Sequence, residues 1–500
     1  MNQEVEALPR GGKPRLCAGH PPGCRCPQCW MEKIRRPFRT SRGRARDVNQ
    51  LPGRSGRTRE QDQHIDPSRA AVPAALTATV PAPGHQTVPV PSLETLLPPV
   101  PETLPPSVTA NVTAPESSAI ALDREVRFGD VRYPIYVRSG PASWQEFAGL
   151  LTELHADRFL LVTDGGVPAE AVRAVARGLG ELAPVTLLRV PADERAKNLS
   201  TIDDLAKEAF TSGATRMSVF VALGGGLAGN VAGLLAHLFL RGARLVHIPT
   251  TLLAMSDSVL SLKQAVNSPV GKNHLGAFHA PELVWSQLDC LATLPPAQIR
   301  AALCEVIKNI ITICPERFDE MAARLRADAV YSQAEFAWFI GLCVDAKQRV
   351  MAADPHEKGR ALVLEYGHTV GHAAELVTGG KFSHGLAIGV GGLVAARIAT
   401  LFGIGDPAVE EAHEALLLLN GAPTYFRGDF DADRLMQAIR LDNKRGYIPH
   451  RLGCIDMILL AGLGQPNHAD GSIITQVPED VVLAGIQSRI SRLPSSEGQS

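Results

Sequence analysis

The stretch Met217-Ser-Val-Phe-Val-Ala-Leu-Gly-Gly-Gly-Leu-Ala-Gly-Asn230 decides the fold. It begins with a short apolar run, which predicts a buried strand. Gly224, Gly225 and Gly226 follow this run directly, and the small residues after them predict a helix. A strand that passes through glycines into a helix is the unit from which parallel α/β sheets are built.

The same alternation extends along the chain on both sides of this stretch. Residues 158–163 form another apolar run, which ends at Asp164-Gly165-Gly166 and is followed by a helical pattern. Residues 185–190 and 244–248 predict two further strands. We therefore expect an α/β, Rossmann-like domain with a parallel sheet over residues 120–290.

The pattern changes after residue 290, where apolar residues recur at helical spacing and strand-like runs become rare. The sequence therefore predicts a mostly α-helical domain over residues 291–490. The segments with the clearest helical spacing are 296–314, 333–352, 385–402 and 407–420.

The composition argues against several classes of protein. The chain has 500 residues, a formal net charge of -1 and 45% apolar residues, so its charge gives no general attraction to nucleic acid or membranes. We expect neither a membrane partner nor export, because we find no run of about 18 apolar residues and no signal-peptide core. Five of the nine cysteines are scattered through apolar sequence, which is typical of reduced thiols in a cytoplasmic enzyme.

Residues 1–119 differ from the rest of the chain in composition. They are rich in arginine and proline, which predicts a disordered extension that ends in a semi-rigid linker. Cys17, Cys24, Cys26 and Cys29 could form a small zinc knuckle beside the basic residues, and hence a nucleic-acid contact. Their irregular spacing and the lack of an apolar core around them favour a disordered tail, so we expect no nucleic-acid partner.

The glycine triplet has two interpretations. Glycines between a strand and a helix let the backbone approach a pyrophosphate, and the helix N-terminus supplies free N–H donors. The spacing is not G-x-G-x-x-G, and a tight turn that needs glycine for its backbone angles explains the triplet equally well.

Three histidines and one glutamate suggest a metal site. His368 and His372 lie one helical turn apart, His384 follows them, and the sequence is not the H-E-x-x-H of metalloproteases. Glu305 lies far upstream on a predicted helix. A zinc-like ion binds three or four nitrogen and oxygen ligands, which Glu305, His368 and His384 could supply. Each of these residues alone is also compatible with a structural role, but the set favours a metal ion.

A run of hydroxyl, carboxylate and lysine side chains follows the third α/β unit. Asp257-Ser258 is followed by Lys263 and by Lys272-Asn273. Lysines beside an aspartate and hydroxyl groups suit a phosphorylated, polyhydroxy ligand. By itself, the run is more typical of a solvated loop with two ordinary lysines.

Together these segments resemble the sugar-phosphate cyclases, the dehydroquinate-synthase family, over residues 122–490. The family hallmarks are a glycine triplet, a Pro-Thr-Thr stretch, an Asp-Ser pair with spaced lysines, a Glu-Val-Ile-Lys helix and a Gly-His-Thr-x-Gly-His helix. Here the hallmarks stand in the same order at Gly224–Gly226, Pro249–Thr251, Asp257-Ser258 with Lys263 and Lys272-Asn273, Glu305–Lys308 and Gly367–His372.

The resemblance implies NAD, one divalent metal ion (cobalt or zinc), a small sugar-phosphate substrate and a homodimer. It implies that the metal ligands are Glu305, His368 and His384. The catalytic residues that it implies are Lys263, Lys308, Glu365, His372 and His384. The residues that it places at the cofactor are Asp164, Glu194, Lys197, Gly224, Gly225, Gly226, Asn230, Thr250, Thr251, Asp257, Ser258, Lys272 and Asn273.

Three departures from dehydroquinate synthases indicate the substrate. Glu365 stands where those enzymes carry asparagine, Ala361 stands where they carry arginine, and Ser261-Leu262 stands where they carry two glycines. Loss of an arginine fits a substrate that has no carboxylate to clamp. The resemblance thus implies a lyase of aminoglycoside biosynthesis that closes a carbocycle from D-glucose 6-phosphate. The steps would be oxidation at C4, loss of phosphate, re-reduction and an intramolecular aldol reaction.

Other departures leave alternatives open. The family's Gly-Glu-x-x-Lys segment stands here as Asp193–Lys197 without its glycine, and its His-Gly-Glu motif stands as His384-Gly385-Leu386. These changes leave open how tightly the cofactor binds and which residues hold the metal ligands in place. The competing functions are another cyclase (a 3-dehydroquinate or epi-valiolone synthase), a metal-dependent polyol dehydrogenase and a binding protein that has lost catalysis.

Overall fold

The computed structural model describes residues 119–490, except residues 270, 428–429, 443 and 445. The extension over residues 1–119 lies outside the described residues but for its last position, so its disorder and its cysteines stay predictions. Within the described part of the chain, an α/β half is followed by a mostly helical half, which confirms the predicted fold class.

A twisted, largely parallel sheet organises the first half. Its strands lie in the order β1-β2-β9-β6-β5-β3-β4. β1 and β2 pair antiparallel at one edge, and every other neighbouring pair is parallel. The strand bounds are β1 Ala121–Phe128, β2 Val131–Arg138, β3 Phe159–Asp164, β4 Val185–Val190, β5 Val219–Gly224, β6 Arg244–Pro249, β7 Lys263–Ser268, β8 Gly271–Phe278 and β9 Leu283–Gln287.

Helices cover both faces of this sheet. Every residue of β5 is buried, as expected for a central parallel strand with helices on both sides. Separate apolar clusters lie on the two faces, one including Phe220 and Leu235 and the other Val221 and Trp285. The helices of this half are α1 Ser143–Thr152, α2 Ala169–Gly180, α3 Leu199–Thr211, α4 Gly226–Leu238 and α5 Leu252–Ser256.

The antiparallel hairpin of β7 and β8 leaves the main sheet. It carries Lys263, Lys272 and Asn273. The side chain of Asn230 in α4 accepts a hydrogen bond from the backbone of Ala265 in β7 at 3.0 Å, which fixes the hairpin beside the glycine turn. The sequence pattern had not separated this hairpin from an ordinary loop.

The second half is built from helices with a few short strands. We propose its boundary with the first half at residues 290–291, between β9 and the next helix. The helices are α6 Pro296–Thr312, α7 Phe318–Arg324, α8 Gln333–Met351, α9 His368–Val377, α10 His384–Leu401, α11 Pro407–Leu419, α12 Ala432–Ile439 and α13 Glu479–Ser488, and the strands are β10 Cys454–Ile458, β11 Leu460–Gly462, β12 Gln465–Pro466 and β13 Ile474–Pro478.

Glycines allow α6, α9 and α10 to approach one another closely. A Cβ atom at Gly385, in the first turn of α10, would lie 1.9 Å from the carbonyl oxygen of Ala301 in α6. Gly367 precedes α9 at φ 78°, and a Cβ atom there would lie 2.8 Å from the backbone nitrogen of Gly392 in α10. Only glycine fits these contacts, which bring the beginning of α9 against the middle of α10 and the beginning of α10 against α6.

The helix α10 has a second property that corrects an expectation. Its 18 residues are long and apolar enough to cross a membrane by length and composition, although none was expected from the sequence. In the fold, 72% of that window is buried within the protein, as in the core helix of a folded domain.

Candidate active site

A cleft of about 640 Å³ lies between the glycine turn, the hairpin and the helical half. It collects most of the residues that the sequence indicated, from both halves of the chain. Six predicted residues do not line this cleft. Glu305 contacts His368 and His384, which do line it, and the others form, contact or flank the glycine turn: Asp164, Gly224, Gly225, Thr250 and Thr251. The predicted residues that line the cleft are Glu194, Lys197, Gly226, Asn230, Asp257, Ser258, Lys263, Lys272, Asn273, Lys308, Glu365, His368, His372 and His384.

The three predicted metal ligands meet at one end of this cleft. Glu305 lies in the middle of α6, His368 begins α9 and His384 begins α10. The Oε1 atom of Glu305 lies 3.3 Å from Nε2 of His384 and 3.7 Å from Nε2 of His368. Both carboxylate oxygens of Glu305 are buried, and Oε2 pairs with Nζ of Lys308 at 2.6 Å, which leaves Oε1 directed at the two histidines. A buried oxygen and two ring nitrogens therefore face one point.

His372, which was predicted as a catalytic residue and not as a metal ligand, also lies beside the metal ligands. The ligand atoms of His368, His372 and His384 all lie within 4.8 Å of one another. Burial lowers the pKa of His372 to about 4 and holds the pKa of His368 well below its usual value. Neutral imidazoles have the lone pairs that a metal ion requires.

Charged neighbours set the ionisation of the cluster. Burial would raise the pKa of Glu305, but Lys308, whose Nζ lies 2.6 Å from Oε2, and the two histidines hold the pKa well below its usual value. Burial would lower the pKa of His384, but Glu305 and Glu375 raise it to about 10. Glu305 is therefore a carboxylate at neutral pH.

The glycine turn forms a narrow cradle at the N-terminus of α4. Gly224 has φ +154°, and a Cβ atom there would lie 2.8 Å from Cβ of Ala228 and 3.0 Å from Oδ2 of Asp164. A Cβ atom at Gly225 would lie 3.3 Å from Cγ2 of Thr251. Among the described residues no side chain caps the N-terminus of α4, which is the arrangement in which first-turn N–H groups can bind an anion.

The segment around Glu194 and the hairpin are tied to each other. Lys197 donates a hydrogen bond to Oδ1 of Asn273 at 2.6 Å, and Asn267 donates one to Oε1 of Glu194 at 3.0 Å. Nζ of Lys272 lies 3.7 Å from the same Glu194 carboxylate. Four predicted cofactor residues are thus brought together, although the family's glycine is absent at position 193.

The comparisons with known proteins agree with this arrangement. A family model for the N-terminal domain of 3-dehydroquinate synthase matches residues 187–301, and one for its C-terminal domain matches residues 302–445. The chain belongs to the 3-dehydroquinate synthase family of sugar-phosphate cyclases. A 2-deoxy-scyllo-inosose synthase of Streptoalloteichus tenebrarius is 43% identical over 380 residues, which is 75% of this chain and 98% of that one.

Further relatives of this cyclase carry the same name. A 2-deoxy-scyllo-inosose synthase of Micromonospora echinospora is 43% identical over 362 residues, 72% of this chain and 90% of the relative. The crystal structure of such a synthase with carbaglucose-6-phosphate, NAD+ and Co2+ superposes with a TM-score of 0.69 at 35% identity, covering 74% of this chain and all of that one. Within its family, the cyclase groups with the 2-deoxy-scyllo-inosose synthases.

Opposite charges surround Glu365 in the cyclase. Nζ of Lys263 lies 2.6 Å from Glu357 and 3.5 Å from Glu365, and Nζ of Lys444 lies 3.7 Å from the other Glu365 oxygen. Burial would raise the pKa of Glu365, but Lys263 and other neighbours hold it well below its usual value. Burial would lower the pKa of Lys263, but Glu365 and Glu357 raise it. Ammonium and carboxylate groups therefore alternate along this wall.

Four charged residues in or beside the cleft were not predicted as site residues: Lys347, Glu357 and Glu375, which line it, and Lys444, which pairs with Glu365. Lys347 in α8 donates to the backbone oxygen of Asp257 and lies 2.8 Å from its Oδ1 atom. Glu357 lies in a loop at φ 52°, and Lys444 is 1% exposed. A signal was available for Lys444, because it lies in Asp442-Asn-Lys-Arg-Gly-Tyr447, a stretch in which the sequence resembles one subgroup of the family.

The glycine cradle gives a direct prediction. We expect Gly224→Ala to lower the free energy of unfolding by about 1–3 kcal/mol and to weaken NAD binding, because alanine disfavours φ +154° and its Cβ would overlap Ala228. Chemical denaturation and NAD titration measure the two effects. The control is Gly178→Ala in α2, where nothing lies within 4 Å of the new Cβ atom and helix propensity predicts slight stabilisation. If Gly224→Ala and Gly178→Ala had the same stability and the same affinity for NAD, the proposed role of Gly224 in the cradle would be contradicted.

Proposed function

We propose that this chain converts D-glucose 6-phosphate into 2-deoxy-scyllo-inosose and phosphate, with NAD and one divalent metal ion. The observation that carries the proposal is one cleft lined both by Gly226 of the glycine turn and by His368 and His384, whose Nε2 atoms converge on the buried Glu305. Relatives at 39% to 43% identity named 2-deoxy-scyllo-inosose synthase support the same reaction. Their name also supports a role in making the carbocycle of aminoglycosides. The homodimer and the cytoplasmic location stay predictions.

The donor atoms of the helical half fit a divalent metal ion. The unpartnered Oε1 atom of Glu305 and the Nε2 atoms of His368 and His384 form a mixed oxygen and nitrogen set. Three such ligands with an open position are usual in catalytic zinc sites, and cobalt accepts the same set. His372 lies within reach as a further ligand or as a contact to the substrate.

The glycine turn fits a dinucleotide. Any side chain at Gly224 or Gly225 would fill the space that a pyrophosphate needs beside the N-terminus of α4. Lys197 and Asn273 extend the polar wall from this turn toward the metal ligands. When bound, NAD and the metal ion would supply reversible hydride transfer and Lewis-acid activation of a hydroxyl group.

The remaining side chains would orient the sugar phosphate. Lys263 presents an ammonium group to the cleft beside Glu365, which suits a phosphate and neighbouring hydroxyl groups, while the buried Lys444 pairs with Glu365 and Asp442 from behind. Glu365 is ionised and buried, with one oxygen that accepts no hydrogen bond from the described residues. We assign it to accept a hydrogen bond or a proton from a substrate hydroxyl. Lys308 holds the ligand carboxylate of Glu305 and donates to Leu364 beside Glu365.

Ala361 supports a substrate that has no carboxylate. Its side chain is fully buried in the short 3-10 segment Arg360–Glu365, four residues before Glu365. An arginine there could clamp a carboxylate through two hydrogen bonds, and alanine provides no charge for such a contact. Glucose 6-phosphate has no carboxylate, whereas the substrate of dehydroquinate synthase has one.

A comparison of substrates tests the proposal. The purified full-length protein would be incubated with NAD, Co2+ and either glucose 6-phosphate, sedoheptulose 7-phosphate or the seven-carbon keto-acid phosphate. We expect phosphate and 2-deoxy-scyllo-inosose from the first substrate and no NADH in solution. Phosphate release from only one of the other two would assign the chain to a sister cyclase. NADH formation without phosphate release would make it a polyol dehydrogenase.

A further inference from the structure

The metal ligand His384 has a buried carboxylate partner that the sequence did not predict. The family's His-Gly-Glu motif carries leucine here at position 386, so no carboxylate follows the histidine. We propose that Glu375 is a positioning residue that orients His384 toward the metal ion and joins the metal site to Lys272. This inference rests on the proposed metal site.

The two carboxylate oxygens of Glu375 have separate partners. Oε2 lies 3.2 Å from Nδ1 of His384, and Oε1 lies 2.5 Å from Nζ of Lys272. Glu375 occupies the last turn of α9, two turns after His368, and its side chain is 8% exposed. A buried carboxylate with one charged and one ring partner is held in a single orientation.

The contact with Glu375 selects the form of His384 that binds metal. With Nδ1 committed to Glu375, Nε2 is the ring nitrogen that faces Oε1 of Glu305 at 3.3 Å and the one that remains for a metal ion. Carboxylate partners of this kind fix the tautomer and the ring orientation of metal-bound histidines and increase their basicity. Without the carboxylate, the ring could rotate and the other tautomer would become available.

The contact with Lys272 links the orientation of His384 by Glu375 to the β7–β8 hairpin in the first half of the chain. Lys272 lies on β8, next to Asn273, whose side chain accepts a hydrogen bond from Lys197. The hairpin that borders the proposed nucleotide site is therefore anchored on the carboxylate that orients a metal ligand. Metal binding and the placement of the hairpin should stabilise each other by the same factor, because coupling between two sites is reciprocal.

The test measures metal affinity without substrate. Glu375→Gln should weaken Co2+ binding by about 10- to 100-fold in competition with a chromogenic chelator, and should shift the visible absorption bands of bound Co2+. Glu375→Asp keeps the charge but cannot reach both partners, and it carries the same expectation if the glutamine variant does not fold. Lys272→Met should weaken Co2+ binding by about fivefold or more.

The control is Glu410→Gln, which alters an equally buried glutamate of α11 that pairs with Arg489 and Arg397. It should leave Co2+ affinity unchanged, whatever its effect on thermal stability. Unchanged Co2+ affinity in Glu375→Gln would overturn the positioning role, and unchanged affinity in Lys272→Met would overturn the connection to the hairpin. If the unaltered enzyme released no phosphate from glucose 6-phosphate but these affinities fell, the proposed substrate would fail while the positioning role stood.

Discussion

Glu305→Gln is expected to abolish tight metal binding and to lower the rate of phosphate release from glucose 6-phosphate by about 10³-fold or more. Glutamine keeps the shape of the side chain but removes the charge that faces His368 and His384. A Lewis acid contributes several kcal/mol to stabilising charge in the transition state, so loss of the metal is costly. Metal content after dialysis and initial rates of phosphate release measure the two effects.

Folding of this variant needs its own control. Lys308 is buried with its Nζ atom 2.6 Å from Glu305, and removing one member of a buried ion pair typically costs about 3–5 kcal/mol. Glu305→Gln combined with Lys308→Met removes both charges and should recover part of the lost stability without recovering activity. A Glu305→Gln variant that holds metal as tightly as the unaltered enzyme would show that Glu305 is not a ligand.

Glu365→Gln is expected to lower kcat by about 10²- to 10⁴-fold while metal and NAD still bind. The carboxylate lies between Lys263 and Lys444, so the amide loses two ion pairs as well as the ability to accept a proton. Amide oxygens still accept hydrogen bonds, and the KM should therefore rise less than kcat falls. Steady-state kinetics on glucose 6-phosphate separates the two parameters.

The matched control for this change is Glu316→Gln, which alters a half-exposed glutamate that pairs with Arg349 and does not line the cleft. It should retain full activity, because an exposed ion pair contributes little. A kcat for Glu365→Gln within a factor of about three of the unaltered value would rule out an acid–base role, since that role normally contributes far more.

Local patterns in the sequence predicted the elements that carry the site. The strands β3 to β6 and the helices α6, α8, α10 and α11 begin and end within two residues of the predicted segments. The spacing of apolar residues within each segment shows which face of the element is buried, and this spacing can be read from residues that are close in sequence. The strands β1, β2 and β7 to β13 were not predicted, because strand pairing depends on partners elsewhere in the fold.

The site residues that could be predicted are those whose motifs have a fixed local spacing. His368 and His372 are examples, because one helical turn places them on the same face of α9. Asp257 and Lys347 are 90 residues apart, and no local spacing indicates their contact. Glu375 is a similar case, since its role depends on the approach of α9, α10 and the hairpin rather than on its neighbours in sequence.

The central claim is tested most directly by D-glucose 6-phosphate that carries deuterium at C4, incubated with the full-length protein, NAD and Co2+. The proposed transient oxidation predicts phosphate release, no NADH in solution and 2-deoxy-scyllo-inosose that retains the deuterium, because the hydride is removed and returned within one cleft. Deuterium that accumulates in free NADH, or a labelled substrate that releases no phosphate, would contradict the account.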